Sequence, residues 1–192
     1  MTNKYDIMKL KYFNYKSVNS TNDVAIKIIK NTNNKFGIVV TETQKRGKGQ
    51  YGKKWISYKG NLFVSIFFTF DKVKLSLRQM TRVNCYLVKR LISNYCKKNI
   101  SIKLPNDLMI GKKKICGILQ ETINKADKKF MVVGIGINLI KSPNISNYPT
   151  TSIFEITKKK INKEKVILKL KKMYEHFIPL FCKLTYKKIN KI

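Results

Sequence analysis

The chain has 192 residues, enough for one domain with a real hydrophobic core and too few for two full ones. Its 43% hydrophobic and 11% aromatic content lies in the globular range, so the 27% of charged residues does not argue for disorder. A net charge of +31 invites a nucleic-acid partner, but arginine occurs only at Arg46, Arg78, Arg82 and Arg90, and lysines run throughout among many Asn and Ile, a composition-wide drift rather than one basic face.

Taken in chain order, Ser20 to Lys30 begins with Ser20-Thr21-Asn22-Asp23 and continues with Val24, Ala25, Ile28 and Ile29 at helical spacing, an N-cap followed by an amphipathic helix. Phe36 to Thr43 reads as a buried strand that delivers the chain into a glycine-rich loop, Arg46 to Trp55. After a turn at Gly60-Asn61, Leu62 to Phe70 is a second strand, rich in Phe, Val and Ile. Leu75 to Tyr95 places Leu77, Met80, Val83, Leu87, Val88 and Leu91 on one helical face. Ile100 to Lys103 is a short strand stopped by Pro105; Asp107 to Ile110, a turn at Gly111-Lys112, Lys114 to Thr122 and then Phe130 to Asn138 read as further strands. Ile161 to Phe177 is a last helix followed by Pro179, and residues 179–192 form a basic tail or extension of it. The pattern predicts an α+β domain with helices packed against a mixed, largely antiparallel sheet.

Cys85, Cys96, Cys116 and Cys182 make no C-x-x-C pair, so neither a zinc site nor a redox motif is indicated. Met1 to Lys11 is polar and charged, and no run approaches the about 18 apolar residues of a membrane span. Reduced thiols in a cytoplasmic protein are the expectation.

Gly47-Lys48-Gly49-Gln50-Tyr51-Gly52 matches G-x-G-x-x-G and, with Lys53, much of a P-loop. Both motifs need a helix directly after the loop to receive phosphate, whereas here the chain runs through Trp55 into a turn and a strand. What survives is close backbone approach at three glycines and positive charge from Arg46, Lys48, Lys53 and Lys54, suited to phosphates or a carboxylate. A second cluster, Lys103-Leu104-Pro105-Asn106-Asp107, is followed by Lys114 and Gly117-Ile118-Leu119-Gln120-Glu121. Asp107 has the chemistry to bind magnesium or orient a ribose, and Lys114 to neutralise a carboxylate attacking a phosphoryl group. A third, Gly134-Ile135-Gly136-Ile137-Asn138, combines a strand, close approach and a terminal amide.

In this order, over about residues 17 to 177, these pieces resemble the catalytic domain of the biotin–protein ligase family. The resemblance implies a class II synthetase-like, biotin–lipoate ligase catalytic fold over residues 1–178. It also implies ATP-dependent formation of biotinyl-5′-AMP, with magnesium, and transfer of biotin to a lysine of a biotin carboxyl carrier protein or domain. By position, Ser20, Thr21, Asn22, Gln44, Lys48, Gly49, Gln50, Lys114 and Gly117 would bind biotin. Arg46, Gly47, Lys53, Trp55, Asn106, Asp107 and Asn138 would serve the nucleotide, Asp107 the magnesium, and Lys114 with Lys48 the chemistry. No covalent enzyme intermediate is required, and His176 is expected to be structural.

The chain departs from the family pattern in three respects. Lys48 and Lys53 stand at arginine positions and Gln50 at another, which removes the planar fork; Leu104 stands where the family has Trp. No winged-helix segment is expected before Ser20, and the family's small C-terminal β-barrel domain is expected to be missing. A homodimer is left open. The rivals are a lipoate or octanoate ligase or transferase of the same fold, and a basic nucleic-acid-binding protein, which would need its charge gathered on one face.

Overall fold

A computed structural model describes residues 8–70, 73 and 75–181. Seven strands form one sheet in the order β1-β2-β3-β7-β6-β5-β4. The strands are β1 Lys11–Val18, β2 Phe36–Gln44, β3 Leu62–Thr69, β4 Ile100–Lys103, β5 Asp107–Ile110, β6 Lys113–Lys125 and β7 Lys128–Ile137. Every pairing is antiparallel except β1 with β2, so the expected mixed, largely antiparallel sheet is present. The helices are α1 Thr21–Asn31, α2 Leu77–Ser93, the five-residue α3 Ile153–Thr157 and α4 Lys163–Phe181.

Alternation along the central strands divides the sheet into two unequal faces. Leu62, Val64, Ile66 and Phe68 of β3 and Met131, Val133, Ile135 and Ile137 of β7 join Met80, Val83, Leu87 and Leu91 of α2 and Leu170, Tyr174 and Phe181 of α4 in the main core. The opposite residues, Phe67, Val132 and Phe130, pack with Ala25, Ile28 and Ile29 of α1 in a smaller core. One helix cannot cover a seven-stranded face. The first turn of α1 seats Asn22 on Gly134; the part of that face beyond it, across β6 and β7, carries Gly117 and Gly136 and is where the cleft lies.

Two elements, β1 and α3, are absent from the sequence expectation. Strand β1 was not foreseen: Lys11–Val18 lies at the sheet edge, mostly exposed, and lacks the apolar alternation of a half-buried strand. Helix α4 runs past Pro179 to Phe181, in line with the extension that the sequence left open beside a tail; Ile178 and Phe181 are buried and Phe181 packs on Phe68 with ring centroids 5.4 Å apart. Helix α3 was also unforeseen. Its capping box joins Ser152 and Glu155. Residues 182–192, and with them Cys182 and most of the expected tail, lie outside the described residues. None of the described helices is long and apolar enough to cross a membrane.

Between β7 and α3 the chain forms a strap, residues 139–151, laid against β6. Its first residues are gripped by buried Asn61, whose Oδ1 accepts from the backbone N–H groups of Leu139, Ile140 and Lys141 at 3.0–3.2 Å. The Asn61 Nδ2 donates to Lys141 O at 2.7 Å. At its far end Lys114 N donates to Pro149 O and Thr151 N to Lys114 O, both at 2.8 Å. Replacing Asn61 with alanine orphans several backbone groups at once and is expected to lower unfolding free energy by about 2–4 kcal/mol, read from urea denaturation. A loss under 1 kcal/mol, roughly the value of one ordinary hydrogen bond, would place the strap's anchorage elsewhere.

Candidate active site

The cleft encloses about 850 Å³. Its inner wall is the start of α1. Ser20 occupies the N-cap position but makes no side-chain capping bond; instead Gln44 Oε1, arriving from the end of β2, accepts from Thr21 N at 2.9 Å and Thr21 Oγ1 at 3.1 Å. Gln44 Nε2 donates to Ser57 Oγ at 3.3 Å. Asn22 lies over Gly134, where a Cβ would come within 2.4 Å of its Oδ1. It donates to Glu121 Oε2 at 2.5 Å and Leu119 O at 3.3 Å. Beneath them Ser65 Oγ is placed at 2.7 Å from Thr21 Oγ1 and 2.5 Å from Asn22 Oδ1. Ser20, Thr21, Asn22 and Ser65 are all buried, so this network holds a fixed array of donors and acceptors at one end of the cleft. Ser65 and Ser57 were not foreseen: each is a small polar residue without a local motif, and Ser65 sits inside an apolar strand.

The glycine loop folds back on itself beside this wall. Gly49 N donates to Lys53 O at 2.7 Å and Trp55 N to Gly47 O at 2.9 Å, with a short 3₁₀ turn over Gln50–Gly52 between. No helix follows Trp55 before β3, which agrees with the rejection of both phosphate-loop motifs. Lys48 pairs with Asp23 in the first turn of α1, drawing the loop toward the cleft mouth. Trp55 lies flat on the glycine floor: a Cβ on Gly136 would fall 2.5 Å from its Cε2 and Cζ2, and one on Gly117 2.6 Å from its Cζ3. Its indole Nε1 is buried and has no hydrogen-bond partner among the described residues.

At the other end stands a charged pair. Lys114 Nζ lies 2.6 Å from Asp107 Oδ1, with side chains 18% and 13% exposed, and Tyr148 Oη of the strap donates to Asp107 Oδ2 at 2.6 Å. A β-bulge aims the lysine. The β5–β6 register slips so that Leu108 faces Cys116 while Met109 faces Lys114, leaving Ile115 and Cys116 both in the main core and Lys114 on the cleft side. Strict alternation would have buried it. Asn106 is held by Nδ2 donation to Ile118 O at 2.6 Å. Asn138 is buried; its Nδ2 donates to Thr151 O at 3.1 Å and its Oδ1 has no hydrogen-bond partner among the described residues.

The cleft thus gathers Ser20, Thr21, Asn22, Gln44, Lys48, Gly49, Gln50, Lys53, Trp55, Asn106, Asp107, Lys114, Gly117 and Asn138 of the expected set. Arg46 and Gly47 do not line it. Arg46 is exposed at the loop's base, its N–H donating to Asn19 O at 2.9 Å, and Gly47 is buried against Trp55, Gln44 and Ser57. The strap wall, Pro143, Ile145, Ser146, Asn147, Tyr148 and Thr150, was not foreseen; its Pro and Asn residues signal turns, not a ligand.

Lys48, Lys53, Lys54, Lys103 and Lys114 face a single lining carboxylate, Asp107, a balance that favours a carboxylate or polyphosphate. Asp107 does not fit a resident magnesium ion, since the Lys114 ammonium already stands 2.6 Å from its Oδ1 and Tyr148 donates to its Oδ2, and the described residues hold no cluster of three metal-ligating side chains. Among the described residues no thiol is poised as a nucleophile. Cys85, Cys96 and Cys116 are buried, and burial pushes Cys85 up to about 12 and Cys116 well above its ordinary value. His176 is exposed on α4, away from the cleft lining.

Residues 15–138 match the model of the Biotin/lipoate A/B protein ligase family. The chain belongs to this family. Among curated relatives it is 28% identical over 172 residues to the bifunctional ligase/repressor BirA of Bacillus subtilis, covering 85% of this chain and 52% of that protein. It is 27% identical over 128 residues to the biotin–[acetyl-CoA-carboxylase] ligase of Paracoccus denitrificans, covering 65% and 53%. The chain therefore spans about half the length of the curated relatives it matches. Its fold superimposes on the biotin protein ligase of Aquifex aeolicus in complex with biotin and ATP with a TM-score of 0.79 and 28% identity, over 94% of this chain and 75% of that one. The Thr21–Asn22–Gln44 wall, the glycine loop and the Asp107–Lys114 pair all fall within the matched span of this ligase family.

Proposed function

We propose that this chain is the catalytic part of an ATP-dependent biotin–protein ligase, forming biotinyl-5′-AMP with release of pyrophosphate and passing biotin to a lysine of a carboxyl carrier domain. The observation that carries this reading is one cleft with a fixed polar array at one end, a half-buried ammonium at the other, and an indole on a glycine floor between them. A ureido head group needs paired donors and acceptors, which Ser20, Thr21, Asn22 and Gln44 supply. The ligand carboxylate then lies toward Lys114, whose positive charge offsets the negative charge that accumulates as the carboxylate attacks the α-phosphate. Lys48, Lys53 and Lys54 attract the phosphates, and Trp55, Asn106 and Asn138 bound the space for the nucleoside. Magnesium belongs to this reading as the ion ATP carries on its phosphates; no side chain is assigned to it.

Pyrophosphate release measured with biotin, lipoate and octanoate in parallel tests the assignment. Turnover with biotin alone is the expected result; turnover with lipoate and none with biotin overturns it. The nucleic-acid alternative predicts instead salt-sensitive binding indifferent to biotin.

The loop makes a further prediction. Gln50 lines the cleft in the short turn of the loop and offers a neutral amide where a guanidinium would give charge-assisted, bidentate bonds to phosphate. Gln50→Arg is expected to slow escape of biotinyl-AMP by about tenfold, the scale of one charge-assisted hydrogen bond. The check is the rate at which labelled adenylate leaves the protein; equal rates for both forms would exclude a retaining role for this position.

A further inference from the structure

The strap brings a phenol to the charged pair. Tyr148 Oη donates to Asp107 Oδ2 at 2.6 Å, while Lys114 Nζ lies 2.6 Å from Oδ1 as an ion pair, an oxygen that is buried and takes no hydrogen bond among the described residues. The Tyr148 ring also seats cations: Lys103 Nζ lies 4.6 Å and Lys114 Nζ 5.5 Å from its centroid. Tyr148 is itself fixed. It closes a turn by donating its N–H to Ile145 O at 3.2 Å after Asn147 at φ +59°, and the next residue, Pro149, accepts from Lys114 N. Lys114 therefore meets the strap twice, through its own backbone and, by way of Asp107, through its side chain.

We propose that Tyr148 is a positioning residue that sets the direction of the Lys114 ammonium through Asp107; this rests on the reading of Lys114 as the charge stabiliser in carboxyl activation. A carboxylate bonded at one oxygen can turn about its Cβ–Cγ bond, and an ammonium paired with it turns too. Donation from Tyr148 to Oδ2 fixes the carboxylate plane, and with it the place of Oδ1, whose charge holds the ammonium. Burial and the charge of Asp107 both raise the pKa of the phenol, which keeps it protonated as the donor. A tyrosine that served only as cleft wall would need no such bond.

The test is a double-mutant cycle of Tyr148→Phe and Asp107→Asn in the full chain, with two readouts. The first is steady-state pyrophosphate release with biotin and ATP. The second, without substrates, is the acetylation rate of Lys114 by N-hydroxysuccinimidyl acetate, mapped by mass spectrometry. Phenylalanine keeps the ring and removes the donor, so Tyr148→Phe is expected to lower kcat about tenfold with KM for biotin unchanged, as for loss of a hydrogen bond to a charged group. In the Asp107→Asn background it should change little further, and Lys114 should acetylate several-fold faster in Tyr148→Phe than in the parent. Additive effects in the cycle, or unchanged acetylation of Lys114, would overturn the assignment. A parent inert toward biotin removes the substrate reading, and the acetylation rate then decides the positioning role by itself.

Discussion

Replacing Lys114 with alanine is expected to lower kcat for biotin-dependent pyrophosphate release by about 10²–10³-fold, while KM for biotin changes little. The reason is differential: the ammonium stands only 18% exposed beside a single carboxylate, where charge developing in a transition state is poorly screened by water. The head-group array at the far end of the cleft is untouched, so ground-state binding persists. Alanine also strands Asp107, and its uncompensated charge costs stability. The double variant Lys114→Ala, Asp107→Asn removes that cost and separates folding from chemistry. Its melting temperature should recover while its kcat stays low. Activity within tenfold of the parent would move the stabilising charge to another cleft lysine, Lys48 or Lys103.

A single methyl on the floor of the cleft should be nearly as damaging. The Cβ of Gly136→Ala would stand 2.5 Å from two carbons of Trp55 and 2.8 Å from its Nε1, so the indole must lift from the sheet. Overpacking of this kind costs about 1–3 kcal/mol, and the displaced ring would occupy space assigned to the nucleoside. KM for ATP should rise at least tenfold, the equivalent of about 1.4 kcal/mol, with a smaller change for biotin. Trp55 is the chain's only tryptophan, so intrinsic fluorescence reports the displacement directly as a red shift. An unshifted spectrum with intact ATP kinetics would mean that the ring does not rest on Gly136.

How far the sequence discloses this molecule depends on whether the signal is local. Helices α1, α2 and α4 and strands β2, β3 and β5–β7 announce themselves by apolar period, because each buries a face. Strand β1 buries almost none of its surface and is defined by pairing with β2, a relation that no window of eleven residues contains. The five residues of α3 are too few for periodicity, although Ser152 and Glu155 form a legible capping signature. In the site, the glycines, Asp107 and Lys114 are conspicuous as residue types. The bulge that turns Lys114 outward is not, since it is a property of register between two strands. Ser65 and Tyr148 are likewise ordinary in sequence and acquire roles only through partners 44 and 41 positions away.

Strand β1 places no side chain in the cleft, yet the carbonyls at its end receive the base of the glycine loop: Lys45 N donates to Val18 O and Arg46 N to Asn19 O. The same strand leads directly into Ser20 and the start of α1. It is an exposed border with two lysines, Lys11 and Lys16, open to tryptic cleavage. A cut there would remove no cleft-lining side chain and, of the main core, would detach only the segment of Leu10 and Met8, but it would unfasten the loop and the start of α1 together. Loss of activity after brief digestion, with the melting transition preserved, is thus a failure built into the border of the sheet, remote from the chemistry it disables.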